Sequence, residues 1–297
     1  MSAVSLFVGS ALAASAQARR ALAVLVVASI LAPASARAGA WTQPSGTAYI
    51  KVAAAGLDTR SRFDRDGNRV GFDDGGGLTR STEFRSRELR IYGEYGASDA
   101  VTIYGSLAYK DLATEQLASR FEARGGGDLY AGVRYRLRDG SVPVSLSIDG
   151  KIPTGYDITD QPSLGTGKAD LGARLLAGTS FGRAYVTGDA GFLYRSGRYR
   201  NEMVFSGEAG TRLPGPIYTR ALLRGIHALG RPATEDQGAI FDPGLSSPRE
   251  LLLVGTVGLD VGDGVSLEAA LAHALNGREA LAGNTVEISV VMLLGPN

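Results

Sequence analysis

The stretch SRELRIYGEYGASDAVTIYGSLAYKD, residues 86–111, decides the fold because apolar and polar residues alternate along it. Leu89 and Ile91 occupy one set of alternate positions, and Glu88 and Arg90 occupy the other. Successive side chains of a β-strand point to opposite faces, so this period predicts strands with one apolar and one charged face. The pattern fits a soluble sandwich with an apolar core, and it fits a membrane barrel whose apolar face contacts lipid.

The same alternating segment recurs and predicts twelve strands, each about as long as the ~9–11 residues that cross a bilayer when tilted. The predicted strands cover residues 47–57, 86–96, 100–111, 127–138, 142–153, 168–180, 183–195, 201–213, 216–228, 249–261, 264–275 and 284–295. Short turns rich in Gly, Pro, Asp and Ser lie at 97–99, 138–141, 181–183, 214–216 and 262–264. They alternate with longer connections at 58–85, 112–126, 154–167, 196–200, 229–248 and 276–283. This alternation is typical of outer-membrane barrels, and Greek-key sandwiches have no reason to follow it. The sequence therefore predicts an all-β fold, a closed antiparallel transmembrane barrel of about twelve strands.

The N-terminus predicts export. Arg19 and Arg20 precede an apolar run at 21–32, and small residues follow at once, as in a secretory signal peptide. The run is shorter than the ~20 residues of a membrane-spanning helix, which argues against a retained anchor. We therefore predict a signal peptide at 1–38 and an outer-membrane β-barrel at 39–297, located in the outer membrane of a Gram-negative bacterium.

Composition excludes several classes of function. Loss of the predicted signal peptide removes three arginines and no acid, which changes the net charge from +1 to −2 and implies no nucleic-acid partner. The chain has no cysteine, which excludes disulfides and thiolate sites. We expect no cofactor. The expected partners are outer-membrane lipid and lipopolysaccharide, the barrel assembly machinery and small-molecule solutes.

With the apolar face toward lipid, the charged face lines the lumen. The side chains that we predict to line it are Glu88, Arg90, Glu94, Arg134, Asp149, Lys151, Asp170, Arg174, Asp189, Glu208, Arg220 and Arg224. Arg220 and Arg224 share one strand face, which predicts a preference for anionic solutes such as carboxylates. Aromatic rings prefer the two membrane interfaces, and the rings predicted to form these girdles are Tyr95, Tyr109, Tyr135, Phe192 and Tyr194.

Several strand and turn motifs resemble one known family. GAWTQPSGTAYIKV, RFDRDGN, ELRIYGEYGASDAVTIYGSL, DLYAGVRYRL, GKIPTG and LGTGKADLGARLLAGTSF are similar to segments of the outer-membrane barrels labelled as MetA-pathway phenol-degradation proteins. The resemblance covers nearly all of the mature chain. It implies an outer-membrane barrel with a part in the uptake of aromatic or other hydrophobic small molecules, and it transfers no catalytic residues.

One external connection contains a group of acidic residues. The segment FDRDGNRV begins like a calcium-binding loop, but Arg69 stands where an EF-hand requires glycine. A looser cation site in the loop 58–85 stays open, with the candidate ligands Asp64, Asp66, Asn68, Asp73 and Asp74.

Three functions remain open at the level of sequence. The first is a channel for passive diffusion, since twelve strands lie between the filled eight-stranded barrel and the open sixteen-stranded porin. The second is a closed barrel with a structural or adhesive role. The third is an outer-membrane hydrolase, for which the only histidines are His227 and His273, both on the outward register. We predict no enzyme, no catalytic residue and no metal site.

Overall fold

The computed structural model describes residues 39–72, 81–116, 119–197, 199–230 and 249–295. The predicted signal peptide at 1–38 lies outside the described residues. These residues form sixteen β-strands: β1 (Ala48–Thr59), β2 (Ser61–Phe63), β3 (Arg69–Gly71), β4 (Ser81–Ser98), β5 (Val101–Gln116), β6 (Ser119–Gly126), β7 (Leu129–Arg138), β8 (Val144–Ile152), β9 (Asp170–Phe181), β10 (Ala184–Arg195), β11 (Glu202–Arg212), β12 (Ile217–Ala228), β13 (Arg249–Gly262), β14 (Val265–Arg278), β15 (Ala280–Leu281) and β16 (Asn284–Leu294). Within the described ranges, no helix is long and apolar enough to cross a membrane.

Twelve of these strands form a closed ring. β1 pairs with β4 on one side and with β16 on the other, and both pairings are antiparallel. The order around the ring is β1, β4, β5, β7, β8, β9, β10, β11, β12, β13, β14 and β16, which follows the chain. Closure lets each strand hydrogen-bond to two neighbours, as the hydrocarbon of a bilayer requires. The prediction of a closed antiparallel barrel of about twelve strands is confirmed.

The turn between β13 and β14 illustrates the short connections. Asp263 and Gly264 both have positive φ angles, 50° and 74°. Two successive residues with positive φ make the tight turn whose twist matches that of the flanking strands. Short turns of this kind join the strands at one end of the barrel, which we take as the periplasmic end, and the longer connections lie at the other.

The wall extends beyond the predicted strands on one side. β4 and β5 continue past the predicted limits at 86 and 111, and β6 pairs with the outer half of β5 where the sequence predicted a loop at 112–126. Outward side chains in this extension are charged, as in the ion pair of 3.2 Å between Arg124 Nε and Asp111 Oδ2. Charged outward residues are compatible with water, so this part of the sheet continues beyond the lipid. A small second sheet of β15, β2 and β3 lies among the outer connections.

The residues before β1 enter the periplasmic end of the barrel. The Ser145 hydroxyl donates a hydrogen bond of 2.6 Å to the carbonyl of Ala40, which is fully buried. The Arg134 guanidinium donates one of 3.0 Å to the carbonyl of Trp41. Since Ser145 and Arg134 belong to β8 and β7, the segment 39–47 crosses the inside of the barrel mouth.

Backbone contacts hold the same segment against the neighbouring strands β4 and β5. The N–H of Gln43 donates to Thr102 Oγ1 at 2.7 Å, and the N–H of Gly96 donates to the carbonyl of Thr47 at 2.9 Å. Gly96 has no room for a side chain, because a Cβ there would lie 2.0 Å from the carbonyl oxygen of Pro44. The chain has no separate plug domain among the described residues, but these few residues fill part of the mouth.

Candidate functional site: the barrel lumen

The twelve predicted lumen residues lie on the inward face of their strands. On β9, Asp170 and Arg174 alternate with Leu171 and Leu175, whose side chains are 57% and 53% exposed on the outer surface. The same alternation holds for the other members of the set, Glu88, Arg90, Glu94, Arg134, Asp149, Lys151, Asp189, Glu208, Arg220 and Arg224. Whether they line a path for solutes stays a prediction.

The predicted girdle rings lie on the outward face. Tyr95 and Tyr135 lie near the short turns, and Tyr109, Phe192 and Tyr194 lie toward the longer connections. Their side chains are between 41% and 55% exposed. Their heights suit the two membrane interfaces, where aromatic rings are enriched.

A cavity of about 520 Å³ lies in the periplasmic half of the lumen. Three tyrosines line it, Tyr49, Tyr185 and Tyr218, together with apolar side chains such as Val291. Residues of the N-terminal segment close part of this cavity from the periplasmic side, and Trp41 contacts the Tyr185 ring edge to face with a centroid distance of 6.4 Å. The cavity therefore has an aromatic wall beside charged groups.

Ion pairs link neighbouring strands along the lumen wall that forms one side of this cavity. Lys51 Nζ lies 3.0 Å from Glu268 Oε2 and 2.7 Å from Glu287 Oε1. Arg220 approaches Glu268 at 2.8 Å, and Arg90 approaches Glu287 at 3.8 Å. These five side chains form one chain of alternating charges, which we call the lumen ladder, from the periplasmic cavity to the outer half of the barrel.

The facing wall carries a second group of paired charges. Arg134 Nη2 lies 3.2 Å from Glu94 Oε1, and Gln43 from the N-terminal segment donates to the other oxygen of Glu94 at 2.8 Å. Arg174 lies 4.0 Å from Asp149 and 3.6 Å from Asp189. Most lumenal charges are therefore neutralised in pairs, and the bond from Gln43 ties the N-terminal segment to them.

A second cavity, of about 680 Å³, lies in the outer half of the lumen and shares no lining residue with the first. Residues 162–166 of the connection after β8 fold into it and are buried. The Lys110 ammonium donates a hydrogen bond of 3.0 Å to the carbonyl of Leu164, and Leu164 packs in an apolar cluster with Phe84 and Leu112. Residues 162–166 thus narrow the outer end of the lumen, as the segment 39–47 narrows the periplasmic end.

The same connection shows two titratable groups outside the membrane. Tyr156 donates a hydrogen bond to Asp128, and burial together with this bond raises the pKa of Tyr156 above its usual range. The backbone N–H of Thr159 donates to Asp157, which lowers the pKa of that exposed carboxyl. The bond from Tyr156 to Asp128 therefore holds the connection to the outer rim, and the bond from Thr159 to Asp157 lies within the connection.

A buried charged cluster fixes the rim of the outer cavity. Lys151 Nζ contacts Asp170 at 2.7 Å, Asp128 at 3.4 Å and Thr166 Oγ1 at 2.6 Å. Arg195 and Glu202, which were not in the predicted set, complete the cluster, and Arg195 contacts both Asp170 and Glu202. Alternation would have found both, because Arg195 has the parity of Asp189, and Glu202 has the parity of Glu208.

The two arginines predicted to favour anions differ in their surroundings. Arg220 is neutralised by Glu268 in the lumen ladder. Arg224 makes no ion pair and no hydrogen bond with any residue that the structure describes. Among the described residues, acidic and basic side chains face the lumen in nearly equal numbers, and the preference for anions stays a prediction.

The loop 58–85, where the sequence left a cation site open, is only partly described. Asp64 accepts hydrogen bonds from the backbone N–H groups of Asn68 and Asp66 at 2.8 and 2.9 Å, and these bonds lower its pKa. Asp73 and Asp74 lie outside the described residues. In the described part of the loop, the Asp64 carboxylate is occupied by hydrogen bonds from the backbone of its own turn. In the described ranges, no group of three or more His, Cys, Asp or Glu side chains could hold a metal ion.

The two histidines lie on the outer surface. His273 Nδ1 is 2.6 Å from Asn284 Oδ1, and both residues are exposed. Among the described residues, no serine hydroxyl forms a hydrogen bond with His227 or His273. In the part of the chain that the structure describes, neither histidine therefore has a serine nucleophile hydrogen-bonded to it.

Comparisons with known proteins bear on the fold. No model of a known protein family and no characterised protein matches the sequence. The COG4313 outer membrane channel from Pseudomonas putida F1 is 13% identical, with 89% of this chain and 100% of that chain covered and a TM-score of 0.63. The translocator domain of the autotransporter NalP from Neisseria meningitidis is 12% identical, covers 98% and 99%, and has a TM-score of 0.49. The CymD monoaromatic hydrocarbon channel is 11% identical, covers 86% and 90%, and has a TM-score of 0.44. The last two likenesses are too weak to bear on function, and the first shows that the chain has the fold of an outer-membrane β-barrel.

Proposed function

We propose that this chain forms a narrow outer-membrane channel for passive diffusion of small molecules. The observation that carries the proposal is the pair of cavities, about 520 and 680 Å³, one above the other inside a closed barrel. Their sizes lie in the range of small-ligand pockets. Passage would be governed by the width of the lumen and by its charges, without an energy source.

Small aromatic or hydrophobic solutes fit this proposal. Tyr49, Tyr185 and Tyr218 supply aromatic surface in the periplasmic cavity, and Val265 and Val291 supply apolar surface. The resemblance to the MetA-pathway phenol-degradation barrels points to the same class of solute. Outer-membrane lipid, lipopolysaccharide and the barrel assembly machinery are the proposed partners in the membrane.

A closed barrel with a structural or adhesive role is the second candidate. The lumen ladder runs along the wall from the periplasmic cavity to the outer cavity, and other segments of the chain enter the lumen at both ends. Ion pairs that fill the cross-section would leave no continuous aqueous path.

Ion conductance across a planar bilayer distinguishes these two functions. The detergent-folded barrel is compared with a variant that lacks residues 40–45, which removes the bonds to Ser145, Arg134 and Thr102. Discrete current steps from the wild type, with larger steps from the truncated variant, are the result expected of a channel. Insertion without current from either protein would refute the channel and favour the closed barrel.

A further inference from the structure

Two opposite charges in the outer cavity have no partner among the described residues. Arg224 and Glu250 both line this cavity, and neither forms a hydrogen bond or an ion pair within 4.0 Å with a residue that the structure describes. The other charged lining residues are engaged. Arg90, for example, contacts Glu88 at 2.7 Å, and Lys110 donates to a backbone carbonyl. Among the described lining residues, Arg224 and Glu250 are therefore the charged groups that are available to a solute.

The strand register places the two groups side by side on the lumen face. Arg224 of β12 is opposite Leu252 of β13, and Glu250 is opposite Ile226. Arg224 and Glu250 are thus diagonal neighbours on one face, with Cα atoms about 7–8 Å apart in such a pair. Among the carboxylates, Glu250 also has the strongest electrostatic interaction with Arg224. The two charges are near each other and leave a gap that no described side chain bridges.

A zwitterion matches this gap. Its carboxylate can accept two parallel hydrogen bonds from the planar guanidinium of Arg224. Its ammonium group can donate to the carboxylate of Glu250. A simple anion would leave Glu250 without a partner and would be repelled by it, and a simple cation would meet the same difficulty at Arg224.

The surrounding wall accepts an apolar body. Tyr130, Leu193, Val204 and Ile226 line the same cavity as the two charges. The cavity volume of about 680 Å³ is ample for one small solute with its first waters. A solute with both charges at one end and an apolar side chain at the other satisfies all of these groups together.

We propose that Arg224 and Glu250 form a binding site for small zwitterions with an apolar side chain, of the kind represented by aromatic α-amino acids. The site's place in transport rests on the channel function proposed above, whereas binding itself does not.

Titration calorimetry tests the site by measuring the equilibrium binding of small probes to the detergent-folded full chain. The probes are phenylalanine, benzoate and phenethylamine, which carry both charges, the anion alone and the cation alone. Phenylalanine should bind at least about tenfold more tightly than either of the others, since each lacks one charge-assisted contact. Arg224→Gln and Glu250→Gln should each weaken phenylalanine binding about tenfold, and Arg224→Lys, which keeps the charge, should weaken it less.

The variants also predict a change in preference. Glu250→Gln should favour benzoate over phenethylamine, and Arg224→Gln should favour phenethylamine over benzoate. Arg87→Gln, at an outward ion pair, serves as the control and should bind as the wild type does. Benzoate binding as tight as that of phenylalanine, or unchanged affinity in both glutamine variants, would overturn the site. Conductance without phenylalanine binding would overturn this site and leave the proposed channel function intact. Phenylalanine binding without conductance would support the site and refute the channel.

Discussion

Replacement of Lys151 by methionine tests whether the charged cluster at the outer rim is dry. The Lys151 side chain is 7% exposed, and those of Asp128 and Asp170 are 7% and 3% exposed. Its ammonium contacts both carboxylates and Thr166, which belongs to the connection folded into the lumen. Methionine fills a similar volume but leaves two buried carboxylates with fewer partners.

The expected loss in the free energy of unfolding depends on the partners that the two carboxylates keep in the variant. Breaking a buried ion pair by removing one partner costs about 3–5 kcal/mol. Arg195 still lies 3.7 Å from Asp170, and Tyr156 still donates to Asp128. We therefore expect the lower end of that range, about 3 kcal/mol of the free energy of unfolding.

Urea unfolding of the barrel from lipid vesicles measures this loss. Arg87→Met is the matched control, because its ion pair with Asp58 at 2.6 Å is about half exposed on each side and such pairs contribute about 0–1 kcal/mol. A loss for Lys151→Met no larger than that of the control would refute the reasoning. It would mean that water reaches the cluster and solvates the carboxylates.

Two further substitutions test the mouth and the lipid-facing wall. Gly96→Ala should displace the N-terminal segment, at a cost of about 1–3 kcal/mol, and should shift the fluorescence of Trp41, the one tryptophan of the chain, to longer wavelength. Gly207→Ala, where a Cβ meets nothing within 4 Å, should leave the spectrum unchanged, and an equal shift in both variants would contradict the assignment. Ile288→Arg, at an outward position 66% exposed, should destabilise the barrel in lipid by about 2–4 kcal/mol. Leu294→Arg, near the end of the same strand, should cost about 0–1 kcal/mol, and equal losses at both positions would argue against the placement of the bilayer.

The twelve strands of the barrel wall, their faces and the alternation of short and long connections could be predicted from the sequence. These features depend on contacts between residues that are close in the chain. In residues 86–111, period-2 alternation defines which side chains share a face whatever the strand pairs with. Asp and Gly at 263 and 264 likewise adopt their turn through local backbone preferences. Apolar outward residues then follow from the bilayer as solvent.

Sequence reasoning missed the parts that depend on contacts across the lumen. The segment 39–47 carries no strand pattern, and its place in the mouth comes from bonds to Ser145, Arg134 and Thr102 on three different strands. β6 was missed for a related reason. β6 pairs with the part of β5 that extends beyond the predicted strand, so its pairing depends on that extension.

Tertiary structure also decided which charged side chains of the lumen form ion pairs with each other. Arg220 and Arg224 look alike in sequence, yet among the described residues Arg220 forms an ion pair and Arg224 does not, because Glu268 of β14 lies beside Arg220. Lys51 and Glu268 are separated by 217 positions and meet only because β1 closes the ring against β16, the neighbour of β14. Alternation determines which face a charge lies on, but barrel closure and strand register determine which opposite charge it meets. The sequence by itself therefore determined the wall of this protein, and the tertiary structure decided which of the described charges in its lumen pair with each other.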